Sequence, residues 1–345
     1  MPALIRARSD PDLKARIVGH SPLYYQDNAG DPGSAADGDR PAYVRAGSSL
    51  AYLAPYLTVV QDDANFVALI DLDGRRASAL PLPAGPGGQR VFDAAHDNKQ
   101  DKMDLEACLS LPVDSGALLV ALGSGSKPQR EQIVVIRWRG GEQAQPQVSV
   151  HEGAAFYAML RQAHAFAGSA LNVEGAVYLG QDRIRLFQRG NGAPRDDLQP
   201  VDATGDLAWS ALWQHLQQPG STPPSLENIV QYDLGNLHGQ RLGFSDAEEV
   251  AGAILYSASA EASPSSDRDG AIRGSVLGVL DAGGSRARYT TLITENGDPF
   301  LEKIEGLSIE RADPYRAYFV VDDDKDQPTE LFEVYLSGPW YGASG

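Results

Sequence analysis

A single cysteine, Cys108, stands in 345 residues, so no disulfide closes within the chain and no zinc site can be built on several thiolates. Basic residues are scarce: Lys plus Arg number 29 against 46 Asp plus Glu, a formal net charge of −17. An acid excess of that size excludes a nucleic-acid backbone or an anionic membrane surface as the main partner, because both demand a basic face. No stretch approaches the roughly 20 apolar residues of a membrane helix. The first turn of sequence, Met1 to Lys14, is charged along its length and has no apolar segment of a secretory signal, so a cytoplasmic location is expected. The six histidines, His20, His96, His151, His164, His215 and His238, form no His-x-His or His-Glu-x-x-His pattern. Neither a Gly-x-Ser-x-Gly elbow nor a GxGxxG following a strand is present. No nucleotide, haem or zinc is therefore expected, and the serine-triad and zinc-peptidase classes lose their local support.

What the chain has in quantity is turns and short apolar runs. Gly and Pro number 36 and 22. Between them lie β-type runs such as Phe66 to Ile70, Ile133 to Ile136 and Tyr318 to Val321, too short and too closely spaced for helices. The runs recur. Five openings place a polar residue before an apolar run: Ser48 to Tyr52, Asp104 to Cys108, Asn172 to Ala176, Phe244 to Ala247 and Lys303 to Leu307. Taking Ser49, Glu106, Glu174, Asp246 and Glu305 as equivalent gives intervals of 57, 68, 72 and 59 positions. A unit of about four antiparallel strands that cannot bury its own face reads as a propeller blade. The expected fold is all-β, a five-bladed (alternatively six-bladed) β-propeller, one domain over residues 1–345. Residues 46–340 form the blades, and 1–45 supply a closing strand and a mobile loop. Ala15 to Val18 or Ala42 to Arg45 would complete the last blade, which shows three strands by Tyr335. Two helical inserts are expected, Ala154 to Ala167 and Gly205 to Gln218.

In such a ring the innermost strands line a channel, so Ser49, Glu106, Glu174, Asp246 and Glu305 would converge at one mouth. The segments between second and third strands would join them there: Asp62, Asp63, Ser124, Arg189, Asn191, Glu261, Asp322 and Asp323. Crowded carboxylates repel, and must be protonated, paired with Arg189 or Arg273, or bound to a cation. Oxygen-only ligands favour Ca²⁺ or Mg²⁺. The competing reading is that these side chains only cap strand ends. Asp322, Asp324, Asp326 and Glu333 match calcium-loop positions, but Gln327 replaces the required Gly and the flanks read as strands, so a solvated acidic turn explains them. Gly123-Ser124-Gly125-Ser126 with Arg130 reads as a turn, or as a cradle for an anion. Cys108 reads as a small buried hydrophobe.

Asp104-Leu105-Glu106-Ala107, Gly123-Ser124-Gly125-Ser126 with Arg130, Asn172-Val173-Glu174-Gly175, Gln188-Arg189-Gly190-Asn191, Leu242-Gly243-Phe244-Ser245-Asp246 and Val321-Asp322-Asp323-Asp324 with Pro328-Thr329-Glu330-Leu331 together resemble an uncharacterised bacterial propeller family from Ser48 onward. More distantly, Ile304-Glu305-Gly306-Leu307 followed by Val321-Asp322-Asp323-Asp324 and Glu330-Leu331 is similar to the phytase-like esterase propellers, and the Glu-Gly opening resembles the gluconolactonase and regucalcin propellers. The last resemblance implies Glu106, Glu174 or Glu305 as a ligand of a divalent ion, although Ala107 replaces Gly after Glu106.

The resulting expectation is a metal-dependent hydrolase of a phosphoester or lactone. Glu106, Glu174 and Arg189 are its catalytic residues, with one of Glu106, Glu174 or Asp62 as base and Arg189 or Arg130 on the anionic oxygen. Asp62, Ser124, Arg130, Asn191, Glu261 and Arg273 would bind a small anionic ligand. Glu106, Glu174, Asp246, Glu305, Asp322 and Asp323 would hold the ion. The alternative is a non-catalytic ligand-binding or protein-interaction propeller.

Overall fold

The computed structural model describes residues 2–26, 40–73, 76–113, 116–138, 146–218, 220–262, 270–281, 285–321 and 327–341. The expected mobile loop, Asn28 to Asp39, and Asp322 and Asp323 lie outside them. Strands β1 (Ala3–Arg6), β2 (Arg8–Ser9) and β3 (Lys14–Pro22) open the chain. Then come successive antiparallel meanders. The first is β4 (Gly47–Leu53), β5 (Tyr56–Gln61), β6 (Phe66–Asp71) and β7 (Arg76–Pro81). The second is β8 (Leu105–Val113), β9 (Gly116–Gly123), β10 (Gln132–Trp138) and β11 (Gln147–Glu152). The third is β12 (Val173–Tyr178), β13 (Arg183–Gln188), β14 (Asp202–Ala208) and β15 (Glu227–Asp233), extended at its edge by β1. After a short β16 (Asn236–Leu237) the fourth is β17 (Gln240–Val250), β18 (Ala253–Glu261), β19 (Ile272–Leu280) and β20 (Ala287–Ile293). The fifth is β21 (Gly306–Ile309), β22 (Arg316–Val321) and β23 (Glu330–Ser337); β3 pairs antiparallel with β23 and, over two residues, parallel with β20, so that it links the fourth and fifth meanders at their edges. Of the two closing candidates, the Ala15 to Val18 stretch is the one in that sheet.

The first strands of these sheets touch in sequence. β4 lies against β8, β8 against β12, β12 against β17, β17 against β21, and β21 against β4. Burial on both faces explains the unbroken apolar runs. In β6, Phe66, Ala68 and Ile70 pack toward the fifth sheet, while Val67 and Leu69 pack toward the second. The period of two thus sends alternate residues into two different cores. Each pair of neighbouring sheets shares one such apolar cluster. The result is an all-β, propeller-type architecture.

Helices α1 (Ala154–Gln162) and α2 (His164–Ala167) fill the wedge between the second and third sheets, burying Phe156, Tyr157 and Leu160. The second insert is shorter than expected. Residues 205–208 belong to β14, and α3 runs from Trp209 to Gln217. Leu207 is paired with Ile184 across the sheet, and Asp206 accepts from Arg185 Nε at 2.6 Å. Sheet pairing therefore holds four residues whose spacing alone suits a helix. No helix among the described residues is long and apolar enough to cross a membrane.

Candidate functional site

All five inner strands begin at the same end of the ring, and a backbone irregularity sets what they present there. In β4, β8, β12 and β17 the pairing register shifts between Gly47 and Ser49, Leu105 and Ala107, Val173 and Gly175, and Phe244 and Asp246. The skipped residues are Ser48, Glu106, Glu174 and Ser245. Glu305, just before β21 and bonded through its N–H to the Val320 carbonyl, takes the matching place. The sequence repeat is therefore one residue out in two of its five copies. Ser49 and Asp246 align with Ala107, Gly175 and Gly306, not with the glutamates. A bulge adds one residue, and a one-residue offset exchanges the faces of a strand.

The consequence for Asp246 is large. It is wholly buried, and its oxygens are taken by the chain. Oδ1 accepts from Ala247 N at 2.8 Å; Oδ2 accepts from Leu307 N at 2.9 Å, Ser49 Oγ at 3.0 Å and Leu50 N at 3.4 Å. Ser49 Oγ in turn accepts from Cys108 N at 3.0 Å. One carboxylate thus ties β17 to β21 and β4, and through Ser49 to β8. Small neighbours make room for it. A Cβ on Gly306 would meet the Ser49 backbone at 2.8 Å, and one on Gly175 would lie 3.4 Å from Asp246 Oδ1. The Glu-Gly pair at Glu305-Gly306 accordingly has a packing cause.

The three glutamates, with Asp62, Asp104 and Glu261, form the charged mouth. Lys102, buried, bridges Asp62 and Asp104, the latter at 2.6 Å. Asp104 also accepts from Ser124 Oγ at 2.5 Å and pairs with Arg130 at 3.0 Å. Burial pushes its carboxyl up, but Lys102 and Arg130 hold it below the ordinary value. On the other side Arg189, buried, pairs with Glu261 at 2.8 Å and Glu174 at 3.5 Å. Lys303 pairs with Glu305 at 2.8 Å and Glu261 at 3.5 Å. Asn172 Nδ2 donates to Glu174 Oε1 at 2.6 Å and to Asn191 Oδ1 at 3.3 Å. Glu106 differs from the other five acids: among the described residues no hydrogen bond or ion pair reaches its carboxyl. Burial, then Asp104, Asp62 and Glu174, push it well above the usual range against the pull of Lys102.

Asp62, Asp104 and Glu106 each offer an oxygen, all within 4.8 Å of one another, so the three could hold a metal ion. The Lys102 ammonium already stands among them. Of the remaining expected residues, Asp63 is gripped by Arg45 at 2.7 Å. Arg273 is exposed on β19, and among the described residues it pairs with none of these acids. The Ser124 loop is a packed turn: Arg130 Nη1 donates to Ser126 Oγ at 2.9 Å, and a Cβ on Gly123 would strike the Arg130 carbonyl. Sequence reasoning passed over Lys102 and Lys303, although both had a signal. Each stands two or four residues before a ring glutamate, and alternate residues of an extended segment share a side.

Burial raises the Glu305 carboxyl to about 7 and the Asp63 carboxyl to about 6. A carboxyl raised in the folded state favours folding while protonated. Its contribution is full below the ordinary carboxylate range and is lost as pH rises through the folded value. The thermal midpoint is therefore expected to fall between about pH 5 and about pH 8, and Glu305→Gln to flatten the fall. The carboxyls held low, Asp104 and Asp93, act below that window. A wild-type midpoint that rises across it in a melting series would contradict this assignment.

A sequence-family profile described as "Family of unknown function (DUF6929)" matches residues 43–336. No curated protein matches the chain. Among solved structures it is similar to the glutaminyl cyclase of Myxococcus xanthus at 12% identity and a TM-score of 0.44, over 98% of this chain and 99% of that one. A mannose phosphorylase of Leishmania mexicana is likewise similar at 12% identity and a TM-score of 0.40, over 91% and 87%. The arabinanase Arb43A of Bacillus subtilis follows at 7% identity and 0.36, over 86% and 94%. At such scores none of these likenesses bears on the activity.

Proposed function

Because the chain belongs to DUF6929, a family of unknown function, its activity has to come from its own site, and we propose a hydrolase that cleaves a small anionic ester or lactone at the charged mouth. The same reading takes the five sheets as five blades, with β3 completing the last. The observation that supports it is Glu106: one carboxyl without a donor, set among acids that are all paired. Burial favours the protonated form of such a group, which can give its proton to a leaving oxygen. Asp62, the most accessible of the paired acids, receives the proton of the attacking water. Arg130 and Lys303, each with an edge open to solvent, draw in the anionic group. Glu174 and Arg189 position the mouth. An ion at Asp62, Asp104 and Glu106 would be Ca²⁺ or Mg²⁺, matching oxygen ligands, and would have to displace Lys102.

The test is turnover of chromogenic phosphoesters and lactones by wild type and Glu106→Gln. The variant is expected to lose roughly 10²- to 10⁴-fold in kcat, the usual contribution of a positioned acid, with its melting temperature kept. A second reading draws on the pairing itself. Every cation of the mouth already has an acid partner, which suits a non-catalytic binder. Saturable binding of an anionic ester by the wild type with no turnover would establish that reading and end the first.

A further inference from the structure

The opposite ends of the same inner strands enclose a second feature. Glu106 opens β8 and Ser110 lies four residues on, about 13 Å along an extended strand. There a cavity of about 470 Å³ is lined from every sheet, by Tyr52, Ser110, Tyr178, Glu248, Glu249 and Arg311 among others, with Trp138 on its wall. Its size falls within the roughly 300–1,000 Å³ of small-molecule sites. The Asp246 hub lies between it and the charged mouth along the strands, so the two do not share a ligand-binding surface.

The charges of this cavity are arranged unevenly. Among the described residues its one cation, Arg311, is already engaged: the guanidinium stacks 4.5 Å from the Tyr52 ring centroid, and Nη2 donates to the Tyr52 carbonyl at 3.3 Å. Two carboxyls face it, Glu248 and Glu249. Glu249 gives one oxygen to Gly252 N at 2.8 Å. Burial raises the Glu248 carboxyl to about 8, with Glu249 adding to the rise and Arg311 and Ser308 opposing it. Among the described residues no ion pair reaches that carboxyl, although Arg311 lies near enough to pull it down. Three aromatic residues, Tyr52, Tyr178 and Trp138, line the same cavity, and Trp138 is braced edge-on against Tyr56 at 5.7 Å.

We propose that this cavity binds a small molecule that carries an ammonium group on an aromatic body. The ammonium pairs with the Glu248 carboxyl, which releases its proton to solvent as the cation arrives, and the body lies against Tyr52, Tyr178 and Trp138. Aromatic faces attract both parts, the cation through the ring quadrupole and the body by stacking. Arg311, held over the Tyr52 ring and on its carbonyl, is turned away from taking a carboxylate ligand.

Trp138 makes the site observable. Titration of the full chain with phenethylamine, and separately with phenylacetate, is followed by tryptophan fluorescence. Phenethylamine is expected to quench saturably, with Trp138→Phe abolishing the change, and to bind at least about tenfold more tightly than phenylacetate, the equivalent of 1.4 kcal/mol. Glu248→Gln, with its melting temperature checked, is expected to weaken the amine by a similar factor. Phenylacetate binding as well as the amine, amine binding unaltered in a folded Glu248→Gln, or no saturable quenching by phenethylamine overturns the proposal. The comparison of the two ligands on wild type decides it even if the variant does not fold.

Discussion

Asp246→Asn is expected to destabilise the fold by about 3 kcal/mol, read as a lower urea midpoint with an unchanged slope. Every group around the Asp246 carboxylate is a donor: three backbone N–H groups and the Ser49 hydroxyl. Burial pushes the Asp246 carboxyl well above its ordinary value, but these four donors pull the other way, and an acceptor-only side chain suits them. Asparagine has the same shape but must aim its own N–H₂ at one side. With nitrogen at the Oδ2 place it opposes Leu307 N; with nitrogen at the Oδ1 place it opposes Ala247 N. Either way a buried donor loses its partner, at about 1–3 kcal/mol, more when a charge-assisted bond is lost. Asp246→Ala strips all the donors at once and is expected to cost more. A loss in Asp246→Asn of less than about 0.5 kcal/mol, the range of an uninvolved surface change, would show that the inner strands are held without this hub.

The same residue shows what was legible beforehand and what was not. The strands could be read, because runs such as Phe66 to Ile70 are apolar on both faces and turns separate them. The repeat could be read too, down to Glu106, Glu174 and Glu305. The bulge could not. It adds one residue to the inner strand without changing the apolar pattern downstream, so Ser49 and Asp246 counted as ring members when Ser48 and Ser245 hold those places. Ser48 Oγ donates to the carbonyls of Val60 and Leu105, and Ser245 Oγ to Ser257 Oγ at 3.0 Å. Neither offers a charge to the mouth. Gly205 to Ala208 misled for a related reason: Leu207 fits a helical spacing, but pairing with β13 outweighs local preference. The far cavity left no trace in the sequence, since its lining is gathered from strand ends and turns of five separate units.

The −17 net charge also resolves into parts with different physics. At the mouth, six acids face four cations, Lys102, Arg130, Arg189 and Lys303. Burial favours the protonated forms of Glu106 and Glu174 and raises Glu305 to about 7, so that region carries less negative charge than its six acids suggest. The surplus lies mostly on surface side chains, where it serves solubility and costs little. Catalysis at the mouth would then draw on a network close to neutrality, in which adding or removing one charge is felt by all members.

Lys102→Met makes that dependence measurable and separates a chain-supplied cation from a bound one. The ammonium is buried between Asp62 and Asp104 and is held charged by them. Methionine matches its length and removes the charge, leaving Asp104 to Arg130 and Ser124 and leaving Asp62 with none of its bridge. Breaking a buried pair from one side costs about 3–5 kcal/mol, because the remaining charge stays desolvated. The variant also frees the space among three carboxyl oxygens that lie within 4.8 Å of one another. Millimolar Ca²⁺ should therefore raise the melting temperature of Lys102→Met while leaving wild type in place, since a ligand stabilises only the state that can bind it, by about 2.7 kcal/mol at a hundredfold excess over Kd. Equal stabilisation of both proteins would mean that an ion and Lys102 sit side by side and that the mouth is a metal centre in the native protein. A variant as stable as wild type without any ion would mean that the carboxyls shed their charge on their own, and that Lys102 contributes nothing to holding them.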